Sequence, residues 1–368
     1  MDSRKSLNKN VSPNEAEFIR RVFWSFYSVT RMVFICGSDV LPLKDEDIAV
    51  RLPSDDICWR YSGYTDESEF TYKDISKYYI IGKTPGVPND NYSTVIRAFG
   101  LSARVNLFTS SRWLKNHKPQ NQINLNFIRL TKELDDFKKH LESRYPESLY
   151  SVKDSSKTAQ KARVPSGNLD YLTFGLVSYH NYYGMLIRLY QSELVRDPSC
   201  HIHPNRIKNA KIESIKYTIK NCEFYNWSDN YSQLERFVSD FTPRKVPTLL
   251  VLLNCALVDY FIDDKNISSI YKIMTNRFKN IGNRLDNVVY LDSLFKNLYL
   301  IKKLSHYNNS TEHDLISEME KFAISEKDVN PWIVPKYSTF FKFSCCFKSN
   351  YSTINTKDYL KPLETPEI

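Results

Sequence analysis

Residues 17–37 of the chain read EFIRRVFWSFYSVTRMVFICG, and their spacing is that of an amphipathic helix. At about 100° per residue, one arc of the helix is apolar and the opposite arc is polar. The apolar arc contains Ile19, Val22, Phe23, Phe26, Val29, Thr30 and Val33, and the polar arc contains Glu17, Arg20, Arg21, Ser25, Ser28 and Arg31. The pattern predicts a helix over 17–35 whose apolar arc lies on a core. Gly37 is expected just past its end, where a positive φ is often needed.

The segment after this helix predicts an extended strap. Residues 41–59 read LPLKDEDIAVRLPSDDICW, and their brief alternation ends at Pro53, which cannot donate a hydrogen bond within a sheet. Trp24 lies within the polar arc of the helix and has two interpretations. In one, the strap over 48–59 folds back and buries the indole, with an arginine stacked on it. In the other, Trp24 contacts a helix that is not in this chain.

The composition favours a large helical body. The chain has 368 residues, of which 42% are hydrophobic and 14% aromatic, so a sizeable core can form. Only nine glycines and a helical periodicity along most of the chain argue against a sheet-rich fold. No window reaches the ~18 apolar residues of a membrane-spanning helix, so we expect no membrane partner. The predicted fold is all-α, an irregular multi-helix bundle with an extended strap near residues 45–60.

Further helices are predicted where the 3.6-residue spacing recurs, at 91–113, 121–143, 169–194, 247–262, 267–280 and 285–304. The segment 247–262 is apolar nearly all round and is expected at the centre of the bundle. The segment 150–167 is rich in Ser, Lys and Ala and is predicted to be a surface loop. The domain prediction is a disordered start over 1–14, one helical domain over 15–344 and a disordered tail over 345–368.

Charge and cysteine content restrict the compartment and the partners. The net charge is +9, and the densest basic run, 206–220, has helical spacing that fits either a solvated face or a phosphate-contacting face. Seven cysteines and no apolar signal segment at the start indicate reduced thiols in the cytosol or nucleus. Four cysteines in apolar surroundings are predicted to be small core side chains: Cys36, Cys58, Cys222 and Cys255.

Two groups of residues could hold a metal ion, and neither is sufficient. Asp259 and Asp263 lie at i and i+4 and could bind magnesium, but a matching acidic helix is needed to hold a diphosphate. Residues 135–136 are both Asp, yet Phe and two lysines follow them, so they do not supply it. The second group lacks the fourth ligand that zinc requires and consists of Cys200, His201 and His203. No catalytic residue and no metal ligand is predicted, and the chain is not expected to be an enzyme.

The order of residues over 20–53 resembles the regulatory, middle homology region of fungal binuclear zinc-cluster transcription factors. Members typically show arginines before an aromatic–Trp pair, a later Asp-Arg, a Gly-Arg-Pro turn and an acidic segment that closes in Leu-Pro. Thr30 replaces the family's aspartate and residues 38–39 replace its Arg-Pro, which weakens the expected arginine–carboxylate pairing. The matching positions are Arg20, Arg21, Phe23, Trp24, Arg31, Gly37, Asp45, Glu46, Asp47, Ile48, Leu52 and Pro53.

The helix over 169–194 is similar to a second recurrent block of that family, a His- and Tyr-rich helix with a Leu-His-Arg-Pro-like end. Leu189 stands where the family has proline. The residues that carry this similarity are His180, Tyr182, Tyr183, Leu186 and Arg188. Bundles bind small molecules between helices, so an effector crevice is expected between this helix and 247–262, with His180, Tyr183 and Arg188 in it.

The resemblance implies a nuclear regulatory region that controls RNA polymerase II transcription through co-regulators, the transcription machinery or an effector. Zinc and DNA would then be bound only by an amino-terminal six-cysteine cluster, which the cysteine spacing here cannot build. We therefore expect no cofactor in this chain, a truncated family member, and either poor solubility or a homodimer. Two alternatives stay open: an all-α magnesium-dependent enzyme that uses Asp259 and Asp263, and a helical adaptor unrelated to transcription.

Overall fold

The computed structural model describes residues 11–36, 43–53, 91–111, 119–150, 169–194, 204–229 and 265–282. These ranges contain six α-helices and no β-strand, which confirms the predicted all-α class. Two short 3₁₀ helices, Asp45–Asp47 and Glu147–Tyr150, lie in the connections. The α-helices are α1 (Pro13–Cys36), α2 (Asn91–Ser111), α3 (Gln120–Arg144), α4 (Leu169–Leu194), α5 (Pro204–Asp229) and α6 (Lys265–Gly282).

Five of the helices match predicted segments within a few residues: α1, α2, α3, α4 and α6. The predicted helices at 247–262 and 285–304 lie outside the described ranges. So do the surface loop beyond Tyr150, residues 1–10 and residues 283–368, and the domain limits stay predictions. The described residues form two compact units. The first contains α1, the strap at 43–53, α2, α3 and α4 as far as Met185, and the second contains the rest of α4 with α5 and α6.

Helix α1 begins at Pro13, four residues before the predicted start at Glu17. Ser12 caps it, because the Ser12 hydroxyl accepts a hydrogen bond of 3.3 Å from the Glu15 N–H. Proline suits the first helical position, where its missing N–H has no partner to lose. The run Ser-Pro-Asn-Glu at 12–15 is thus a start signal that the apolar periodicity alone does not contain.

The buried side of α1 is the opposite of the predicted one. Phe18, Ile19, Val22, Phe26 and Val29 are 58%, 43%, 53%, 55% and 49% exposed. The buried side instead consists of Glu17, Arg20, Trp24, Tyr27 and Arg31, each at most 3% exposed. The prediction that the apolar arc lies on the core is therefore wrong for this helix. The helix itself, its position and its approximate length are as predicted.

The reversal follows from what the buried side chains carry and what they meet. Trp24 and Tyr27 each bring a large aromatic surface together with one polar hydrogen, so both gain by burial once that hydrogen is bonded. Burial of an arginine is tolerated when its charge is paired, as Arg20 is with Glu17 and Arg31 with Asp45. A hydrophobic pattern reflects only the polarity of each residue and does not include the hydrogen bonds and ion pairs that the residue forms in the fold. The pattern therefore favoured the wrong face of α1.

Helices α2 and α4 form an apolar centre in the first unit. Val95 and Phe99 of α2 pack with Val177 of α4, and Met32 and Phe174 cover them. On the same helix, Gly175 lies against Tyr145 and Tyr150: a Cβ at this position would stand 2.0 Å from the Tyr150 hydroxyl oxygen and 2.8 Å from the Tyr145 ring. Only glycine fits here, because both tyrosines are buried.

The second unit joins the end of α4 to α5 and α6. Glu193, which is buried, accepts a hydrogen bond of 2.8 Å from Arg206, and Tyr190 stacks on Tyr217 with centroids 5.9 Å apart. Helix α5 packs against α6. In the first half of α6, the buried side chains are Ile267, Ile270 and Met274.

Two sequence predictions fall on α5. Cys222 is fully buried, as predicted for a core cysteine, and burial raises the pKa of its thiol, with Glu223 adding to the effect. Within the basic run, Lys216 bonds Glu213 and Lys220 bonds Glu223, each at 3.2 Å. Those carboxylates offset part of the positive charge that the run places on the helix face.

None of the helices in the described part of the chain has the length and apolar character needed to cross a membrane.

Candidate functional site

The strap at 43–53 covers the inner side of α1. The Trp24 indole Nε1 donates a hydrogen bond of 2.5 Å to the backbone carbonyl of Arg51, and the ring is fully buried. Ile48 and Leu52 of the strap are buried as well. The strap therefore buries the indole, as the first of the two interpretations of Trp24 predicted. Residues 54–59 of the predicted strap lie outside the described part.

Arg31 joins α1 to the start of the strap. Its Nη2 donates to the Leu43 carbonyl at 2.6 Å and to Asp45 Oδ1 at 2.7 Å, and its side chain is fully buried. The guanidinium carbon lies 4.2 Å from the centroid of the Tyr27 ring, and the Tyr27 hydroxyl donates to the same Asp45 oxygen at 3.0 Å. Arg31 thus stacks on Tyr27, next to the indole, whereas the prediction placed an arginine on the indole itself.

Burial alone would lower the pKa of Arg31, but interactions with Tyr27 and Asp45 outweigh it and raise the pKa. The charge is consequently held in the interior by one carboxylate, one carbonyl and one aromatic face. We call the set formed by Trp24, Tyr27, Arg31, Asp45 and the carbonyls of Leu43 and Arg51 the strap lock.

A second ion-pair group lies one to two turns before Trp24 on α1. The buried carboxylate of Glu17 bonds Arg20 and also accepts a hydrogen bond of 2.8 Å from Arg21 Nε. The sequence predicts weakened arginine–carboxylate pairing, because Thr30 replaces the family's aspartate. The structure nevertheless contains such pairs, and they use Glu17 and Asp45.

The remaining motif residues have less central places. Phe23 meets the Trp24 ring edge-on, with centroids 5.3 Å apart, and Pro53 is buried at the end of the strap. Asp47 is exposed, and Gly37 lies outside the described residues. The resemblance therefore selects several residues that share one network, together with Asp47, which the structure leaves at the surface.

A cluster of tyrosines surrounds Lys138 in the first unit. The Lys138 ammonium lies 5.0, 5.6 and 5.4 Å from the ring centroids of Tyr179, Tyr182 and Tyr183 on α4. It pairs with Glu147, which also accepts a hydrogen bond from the Tyr183 hydroxyl. Cation–π attraction and the carboxylate together hold this lysine at the edge of the core.

The three predicted crevice residues, His180, Tyr183 and Arg188, differ in burial and in the compact unit to which they belong. His180 and Tyr183 are 1% and 3% exposed, in the first unit, whereas Arg188 is half-buried on the part of α4 that belongs to the second. The other predicted wall, 247–262, lies outside the described residues, so the crevice stays a prediction. Because His180 and Tyr183 are interior, the mildest probe of an effector response is Tyr183→Phe, which keeps the ring.

Three basic side chains converge where α2 begins. His140 Nε2 lies 3.2 Å from Arg97 Nη1 and 3.2 Å from Thr94 Oγ1, and Arg144 donates to Asn91 Oδ1 at 2.9 Å. Burial, with Arg97 and Arg144 adding to it, lowers the pKa of His140 from 6.5 to about 3. The imidazole is therefore neutral at physiological pH, and its Nε2 accepts the hydrogen bond from Arg97.

We expect His140 to make the protein less stable in mild acid. Its pKa is lower in the folded chain than in the unfolded one, so between pH 6.5 and about 3 the unfolded chain binds more protons. Its contribution is fully present above pH 6.5 and is lost as the pH falls, by at most about 1.4 kcal/mol per pH unit. Urea unfolding of wild type and His140→Gln between pH 7.5 and 4.5 measures this. Parallel stability curves for the two proteins would contradict it.

Among the described residues, no three His, Cys, Asp or Glu side chains are grouped so as to hold a metal ion. The two groups considered from the sequence, Asp259 with Asp263 and the Cys200–His203 run, lie outside those residues. Comparison with models of known protein families found no match, and neither did comparison with curated proteins or with solved structures.

The sequence did not single out Lys138, Glu147, Arg97 or His140. Their partners come from other helices, so no local spacing pairs them. The tyrosines at 179, 182 and 183 do carry a local signal, since i, i+3 and i+4 lie on one side of a helix. A single aromatic face of that kind indicates a partner, but not that the partner is a lysine.

Proposed function

We propose that this chain is a regulatory module of a fungal transcription factor of the binuclear zinc-cluster class, acting in the nucleus. The observation that supports it is the strap lock. Trp24, Arg31 and Asp45 match the family's motif in sequence, and they belong to one network that joins a helix to an acidic strap, with Trp24 and Arg31 fully buried. A common structural role gives a physical reason for residues of these types to occur in this order.

In this proposal the chain performs no reaction and binds no cofactor itself. It alters transcription by contacting co-regulators or the transcription machinery, with or without a small effector. Zinc binding and DNA binding belong to a separate amino-terminal module of the six-cysteine kind.

A tethering experiment tests the proposal directly. Residues 1–368 are fused to an unrelated DNA-binding domain in a fungal cell that carries a reporter gene with the matching site. We expect reporter transcription to differ from that given by the DNA-binding domain alone. The matched control is the Arg31→Met fusion, which disrupts the strap lock and should return the reporter to the baseline. A soluble nuclear fusion that leaves transcription unchanged would contradict the proposal.

Localisation of the untethered chain separates this proposal from the adaptor alternative. A nuclear chain agrees with a transcriptional role, and exclusion from the nucleus favours a cytosolic adaptor. The enzyme alternative depends on Asp259 and Asp263, and the described residues bear no observation that favours it. Magnesium-dependent turnover that is lost in Asp259→Ala would revive it.

A further inference from the structure

We draw no further inference here: the strongest candidate, the exposed apolar face of α1 formed by Phe18, Ile19, Val22, Phe26 and Val29, carries none because nothing in the described part of the structure shows what covers it.

Discussion

Trp24→Ala should lower the free energy of unfolding by about 3–5 kcal/mol. The indole is fully buried, contacts Phe23 and Tyr27 edge-on at 5.3 and 5.1 Å between centroids, and donates to the Arg51 carbonyl. Its removal leaves a cavity and takes away the hydrogen bond to the Arg51 carbonyl, and both add to the loss of stability. Urea unfolding followed by far-ultraviolet circular dichroism provides the measurement.

Phe26→Ala is the matched control for this prediction. It also removes an aromatic side chain from α1, but one that is 55% exposed, so the expected loss is about 0.5 kcal/mol or less. Both proteins are measured at low micromolar concentration, where association of copies contributes little. Burial of the apolar arc alone, without burial of Trp24 by the strap, would give the reverse order of the two effects. A larger loss for Phe26→Ala than for Trp24→Ala would show that α1 is oriented the other way.

Arg31→Met should lower the free energy of unfolding by about 3–4 kcal/mol. Methionine keeps much of the arginine's volume and removes its charge. The lost stability therefore reports chiefly the hydrogen bonds that Arg31 donates to the Asp45 carboxylate and to the Leu43 carbonyl. Arg31→Lys should retain only part of the stability that Arg31→Met loses, because an ammonium group is a point charge and lacks the planar, two-pronged donor geometry of a guanidinium. Denaturant unfolding of the three proteins under identical buffer conditions gives the comparison.

A double-mutant cycle and a neighbouring ion pair complete the test. The cycle of Arg31→Met with Asp45→Asn should give a coupling free energy of about 1–3 kcal/mol. In the same short segment, Lys44 and Glu46 pair at 3.9 Å with side chains 73% and 75% exposed. Glu46→Gln should therefore change stability by less than about 0.5 kcal/mol. A coupling near zero, or equal losses at Asp45 and Glu46, would refute the role assigned to the strap lock.

The helices were the most predictable part of this protein. Residues 91–113, 121–143 and 169–194 have apolar side chains at helical spacing, and Pro146 excludes a continuing helix, so α2, α3 and α4 appear close to their expected limits. The periodicity follows from the geometry of one helix and needs no knowledge of its neighbours. The start of α1 was missed because Ser12 and Pro13 signal it through capping, which the apolar pattern does not include.

The orientation of α1 and the contents of the candidate site were less predictable. A buried arginine such as Arg31 is stable only with Asp45 and Leu43, whose positions depend on the path of the strap. The position of Lys138 among three tyrosines was unpredictable for the same reason, because its partners lie on α4 and on the turn at Glu147. The burial of Trp24 by the strap could be predicted, because an aromatic residue inside a polar arc requires a partner with its own acceptor.

The strap also fixes the rotational setting of α1 about its own axis. Without residues 43–53, the arginine side would lose Asp45 and two backbone acceptors, while the apolar side would still gain by leaving water. A chain from which residues 43–53 are deleted should therefore keep the helix but roll it by about half a turn. One short segment thus determines which side of α1 is exposed to solvent and to other molecules.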